Sequence, residues 1–161
     1  MSIDRDSISA ENCSVKRALD VVGEKWTLLV LREAFYGARR FDQFHSRLGC
    51  PRQVLTDRLG TLVAAGVLRR EPYQEPGQRE RHEYRLTEKG RDLLPAVIAL
   101  MQWGDTWEAD AAGPPVEVVH RDCGHPVELI LRCRSDHTLL TAHDTEPRPG
   151  PGARPTPGKT S

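Results

Sequence analysis

Five side chains with hydrogen-bonding groups fall within seven consecutive positions: Arg52, Gln53, Thr56, Asp57 and Arg58. The apolar residues interleaved with them, Leu55, Leu59, Leu62 and Val63, recur at helical spacing up to Gly66. One face of such a helix is buried, and the other is free to meet base edges and phosphates in a major groove. About twenty residues on, Arg79 and Arg81 lie in a polar stretch at 72–81 that also holds Pro72, Pro76 and Gly77. A basic loop of that kind reaches backbone phosphate or the minor groove.

Two other groups of residues are capable of chemistry. Cys13 stands just ahead of the first helical pattern, and a helix N-terminus stabilises a thiolate. His120-x2-Cys123 and Cys133-x3-His137, with His125 nearby, have spacing compatible with a tetrahedral zinc site on a small hairpin. A second CxxC is missing, because Arg134-Ser135-Asp136 follows Cys133; the other reading is therefore a short ββ extension that holds no metal. No glycine-rich phosphate loop, nucleophile elbow, HExxH or paired-carboxylate motif stands out, which argues against an enzyme and leaves no other cofactor implied.

The elements that must position these residues follow from periodicity. Val15, Ala18, Leu19 and Val22 predict a helix over 14–22 that stops at Gly23. Residues 26–35 are apolar on nearly every side, as a central core helix would be. Phe41, Phe44 and Leu48 stripe a shorter helix closed by Gly49, and Pro51 suits the first turn of the helix expected over 51–65. Strand-like runs at 67–71 and 82–86 flank the basic loop. Thr87 is suited to cap a final long helix rich in Leu, Val and Ile, which Pro95 should interrupt or kink. Trp103 and Trp107 extend its apolar stripe beyond what a short core contact needs, which suggests a subunit interface.

The chain of 161 residues has 23 basic and 23 acidic side chains, a balance that at first argues against nucleic acid. The balance is not local. Residues 37–91 hold twelve basic and seven acidic groups, whereas 92–119 hold five acids and no Lys or Arg. Four widely spaced cysteines, a polar N-terminus and the lack of an 18-residue apolar run predict a cytoplasmic protein without a disulfide scaffold or membrane span. The expected organisation is an arm at 1–12, a main domain at 13–112, a Cys/His-containing β-hairpin extension at 116–143 and a disordered Pro/Gly-rich tail at 146–161, with no internal repeat apparent. The fold class is mainly α with a small β wing: a winged helix-turn-helix with a long C-terminal dimerisation helix and a short ββ extension.

Several blocks resemble the HxlR family of bacterial winged-helix regulators. They are Cys13-Ser14-Val15 with Leu19 through Leu31, Arg39-Arg40-Phe41-Asp42-Gln43-Phe44, Val54 through Leu59, Ala65-Gly66-Val67-Leu68, Tyr84 through Gly90 and Leu94-Pro95. They run in order over about residues 11–108. The resemblance implies a homodimeric, MarR-like transcription regulator, commonly a repressor, that reads a near-palindromic operator in double-stranded DNA with half-sites roughly 34 Å apart. It implies that Arg52, Gln53 and Thr56 face bases and Arg58 the backbone or a base edge. Arg79, Arg81 and His82 form wing contacts, with Arg39 and Asp57 completing the DNA-facing set. The first helix and residues 87–111 form the dimer interface. Cys50-Pro51 stands where many relatives carry Ile and a small residue, so Cys50 fills an apolar slot. Family members similar at Cys13 use that thiol as a redox or electrophile switch, so an electrophile or small molecule is the expected effector. The competing function is a zinc- or protein-binding adaptor that uses the same fold without reading DNA.

Overall fold

A computed structural model describes residues 8–156. The chain divides into two units, one from Val21 to Val118 and the other made of the N-terminal residues to Asp20 with those from Val119 onward.

In the first unit, α2 (Lys25–Phe35), α3 (Phe41–Leu48) and α4 (Arg52–Ala64) surround one apolar cluster. Val30, Leu31, Phe44, Leu55, Leu59 and Leu62 are fully buried in it, and Cys50 joins them at 1% exposure, as an apolar slot requires. Two strands follow, β1 (Leu68–Tyr73) and β2 (Arg81–Leu86), antiparallel in a register that runs from Leu68 opposite Leu86 to Tyr73 opposite Arg81. Each run is longer than its pattern suggests. Pro72 lies inside β1 opposite His82, where a two-stranded edge tolerates a missing donor.

The helix expected to begin after Thr87 comes as two. The Thr87 hydroxyl accepts the Gly90 amide at 3.1 Å and caps α5 (Glu88–Arg91); α6 (Leu94–Trp107) then starts afresh with Pro95 in its first turn. Proline has no donor and its ring clashes with the carbonyl four residues back, so the break falls there. α5 is pinned to the end of α4: Thr87 Oγ1 donates to the Gly66 carbonyl at 2.6 Å and Lys89 Nζ to that of Ala65 at 2.8 Å. α6 buries Val97 and Ile98 but leaves Leu100, Trp103 and Trp107 more than half exposed.

The second unit begins with most of α1 (Ser14–Val22), where Val15 and Leu19 are exposed. The Pro/Gly-rich stretch, expected to be unstructured, is described through residue 156, where it meets the N-terminal arm. The Ser9 amide donates to the Arg154 carbonyl at 2.9 Å and Ile8 bridges Pro155, so the arm supplies partners that the tail cannot supply to itself. The ends of arm and tail, 1–7 and 157–161, lie outside the described residues. Between them, β3 (Leu131–Arg132) pairs with β4 (Leu139–Leu140), and Val119 bridges Pro126. A 3-10 turn at Ala142–Asp144 completes the unit.

Candidate nucleic-acid interface

Gly49 makes the turn between α3 and α4 at φ +62°, a conformation that side chains with a Cβ avoid, and its amide closes α3 on the His45 carbonyl. Because Leu55, Leu59 and Leu62 are fixed in the core, the rotation of α4 is fixed too. Arg52, Gln53, Thr56 and Asp57 are exposed as a consequence.

These side chains are already organised. Gln53 Nε2 donates to Asp57 Oδ1 at 2.8 Å, so Asp57 orients the Gln53 amide on the exposed face of α4. The Thr56 hydroxyl donates back to the Arg52 carbonyl at 3.0 Å and keeps its lone pairs outward. Arg52 lies 4.8 Å over the Phe41 ring and 3.7 Å from Asp42, an exposed pairing weak enough to exchange for a nucleic-acid partner. Arg58 is half-buried; its Nε is enclosed and has no hydrogen-bond partner among the described residues.

The basic segment sorts into committed and available groups. Arg69 and Arg85 hold Glu71 at 2.7 and 2.6 Å, and Arg85 also holds Glu83. The hydrogen bond from Arg69 keeps the Glu71 carboxyl below its ordinary range, while Glu83 raises the Arg85 guanidinium. Lys89 and Arg91 are bonded to carbonyls. Arg79, Arg81 and His82 are exposed at the wing end of the hairpin, as is Arg39 at the start of α3.

Two positioning residues escaped the sequence reading. The Gln43 side chain accepts the Arg39 and Arg40 amides at 2.9 and 3.0 Å and so caps α3; an Arg in the cap position hides the usual Ser/Thr-x-x-Gln signature. Arg40 bridges Glu83, stacks 4.4 Å over Tyr73 and pairs with Glu75 at 2.6 Å. The Tyr84 amide donates to the Arg39 carbonyl at 2.7 Å. The wing is thereby stitched to the helix-turn-helix. Glu75 holds the Arg40 guanidinium in its charged form above the ordinary range.

A separate cleft of about 480 Å³ lies between α2 and α6, lined in part by Glu33, Tyr36, Arg47 and Met101. Glu33 is buried there and paired with Arg32 at 2.8 Å and Arg47 at 3.6 Å. Burial pushes the Tyr36 phenol above its ordinary value.

Cys13 is half-buried; its carbonyl accepts the Arg17 amide at 3.0 Å, which sets the thiol at the start of α1. In the extension, His120 Nδ1 lies 3.1 Å from Cys123 Sγ, whereas Cys133 and His137 are joined through the backbone. Among the described residues no three Cys, His, Asp or Glu groups are arranged to hold a metal ion. The quartet His120, Cys123, Cys133 and His137 is therefore not assembled, and His137 ends its turn in the left-handed conformation at φ +63°.

A helix pair joined by a tight turn, with a stitched β wing, defines a winged-helix DNA-binding protein. Residues 21–112 match the HxlR-like helix-turn-helix model, and the chain belongs to that family. It is 50% identical over 142 residues to an HTH-type transcriptional regulator of Mycobacterium tuberculosis, covering 88% of this chain and 89% of that one. The crystal structure of the transcription factor PA1607 is similar at a TM-score of 0.77 and 39% identity, over 86% of this chain and 96% of that one. The redox regulator HypR in its oxidised form is similar at a TM-score of 0.55 and 33% identity, over 61% of this chain and all of that one. The protein is a DNA-binding transcriptional regulator with an HTH domain. Among the described residues no helix is long and apolar enough to cross a membrane.

Proposed function

We propose that this regulator is a homodimeric repressor that reads a near-palindromic operator, with α4 in the major groove and the wing on the flanking backbone. The observation that carries the reading is the α4 face: three fully buried leucines on one side and an exposed, internally braced Arg52–Gln53–Thr56–Asp57 set on the other. Arg52, Gln53 and Thr56 read bases, Arg58 grips phosphate through its outer nitrogens, and Arg39, Arg79, Arg81 and His82 hold the backbone. An adaptor has no use for a braced base-reading face, and the relatives carry regulator names.

The exposed apolar residues of α6 and the basic-free charge around them fit a second copy of the chain, which also supplies the second half-site. Cys13 is the proposed thiol switch, on the strength of its place at the start of α1 and the similarity to a redox regulator. Titration of duplexes from the DNA beside its own gene tests the main reading. The result expected is one duplex preferred by at least about a thousandfold over random DNA and a steep loss of affinity with salt. Equal affinity for every duplex rejects operator reading. Loss of that binding on diamide treatment, retained in Cys13→Ser, is expected of the switch; an unchanged response in the variant rejects it.

A further inference from the structure

α6 presents two faces. Leu100, Trp103 and Trp107 stay in water, while Met101 and Asp105 line the cleft against α2. Past α6 the Asp110 carboxylate accepts the Ala112 amide at 2.9 Å, and the Asp110 carbonyl accepts the Gly113 amide at 3.0 Å. That turn, with Gly113 left-handed at φ +84°, brings Pro115 and Val116 back to the cleft. Arg47 reaches it from α3. Three helices and the returning segment thus frame about 480 Å³, a volume within the range of small-ligand sites.

The charges of the lining balance. Arg32 and Arg47 are cationic, and Glu33 and Asp105 are anionic. Glu33 is buried, and its Oε1 accepts two hydrogen bonds from Arg32, at 3.1 and 2.8 Å. An ion of either sign entering there loses water and meets a like charge together with an opposite one. An uncharged guest avoids that cost.

Two donors are available to such a guest. Arg47 Nη1 stands 3.6 Å from Glu33 Oε2, an ion pair at a separation beyond that of a hydrogen bond. The Tyr36 hydroxyl donates to Met101 Sδ at 3.4 Å, and a thioether is a weak acceptor that a carbonyl or ether oxygen outcompetes. Burial holds the phenol above its ordinary value, so it keeps its proton and donates. The apolar side suits a ring. The Tyr36 ring and the Met101 thioether both favour aromatic neighbours, and Val116 is left 42% exposed beside Pro115.

We propose that the α2–α6 cleft binds an uncharged aromatic molecule of one or two rings, its acceptor oxygens meeting the Tyr36 hydroxyl and the Arg47 guanidinium and its ring against Met101 and Val116. A molecule so held touches α6 and also α3, which leads into α4. Its service as the regulator's effector rests on the proposed operator reading; binding does not, and is measured without DNA.

The chain has two methionines, so isotope labelling of their methyl groups gives Met101 its own NMR signal beside that of Met1. The full-length protein is titrated with para-methoxyacetophenone, and with para-methoxybenzoate and para-methoxybenzylamine as charged probes of similar size. Met101→Leu identifies the signal. A saturable shift of the Met101 methyl with the ketone is expected, with Met1 unmoved and both ions bound at least several-fold more weakly. Tyr36→Phe should weaken the ketone several-fold, as the loss of one hydrogen bond does. No saturable Met101 shift up to the solubility limit of the ketone overturns the site. Tighter binding of either ion, or an unchanged dissociation constant in Tyr36→Phe, overturns the ligand assignment.

Discussion

The Arg40 guanidinium lies 4.4 Å above the Tyr73 ring, joining the start of the helix-turn-helix to the tip of the first wing strand. The same guanidinium holds Glu75 in the wing loop, so the loop that carries Arg79 is tied to α3 by one side chain. Stacking of this exposed kind contributes little to global stability, because water screens it. Arg40→Ala should therefore cost little global stability yet raise amide exchange in residues 74–80. Operator affinity should fall several-fold, more at the wing-contacted positions than beneath α4. Unchanged exchange in the loop would show that the strand pairing alone holds the wing.

Arg58 poses a different question, because its Nε is enclosed and unpartnered among the described residues while the rest of the side chain is half-exposed. An orphaned donor costs stability, so its retention suits a side chain kept for contact with DNA. Arg58→Ala should leave the protein folded, or slightly stabilised, and weaken operator binding by about 1–3 kcal/mol. A gel-shift titration at fixed salt measures this; wild-type affinity in the variant would remove Arg58 from the interface.

What could be read from the chain alone was what one period decides. The 3.6-residue recurrence of Leu55, Leu59 and Leu62 placed α4 to within a residue at either end, since the same leucines that make the pattern make the core. Contacts between distant segments left no such trace. The Arg40–Glu75 link spans 35 positions, and nothing in either local pattern asks for it. Pro72 read as a breaker because a proline rule cannot tell an edge strand from a loop.

Glu71 makes the wing sensitive to acid. Its carboxyl sits below the ordinary value of 4.5, first through the Arg69 hydrogen bond and then through the charge of Arg85. A carboxylate depressed in the folded state stabilises it at pH above the unfolded value, and that stabilisation disappears as pH falls through the folded one. The wing should be unaffected between pH 8 and 5 and loosen below about 4.5. An NMR pH titration of the Arg69 and Arg85 side chains follows the change directly. Glu71→Gln should remove the step; a step that persists would belong to another group.

Gly90 is held where no side chain fits. A Cβ there would overlap the Val67 carbonyl oxygen and press on Leu86, and the oxygen cannot move without breaking its bond to the Thr87 amide at 3.1 Å. Gly90→Ala should destabilise the domain by about 1–3 kcal/mol, as overpacking against backbone does, although alanine is the better helix former. Urea denaturation gives the sign. A stabilised variant would mean that α5 shifts freely on β1.

Trp103 and Trp107 are 58% and 72% exposed on α6, with Leu100 beside them at 56%. Three large apolar side chains left in water on one short helix carry a cost that a monomer has no reason to bear. No Lys or Arg lies between 92 and 119, so an acidic substitution adds repulsion between two copies without removing an ion pair. Trp103→Glu should turn a dimer near twice 18.1 kDa into a monomer by light scattering, with the circular dichroism of the helices retained. Operator affinity should collapse together with the dimer, since one half-site offers only half of the contacts. A Trp103→Glu protein that remains dimeric would move the interface away from α6.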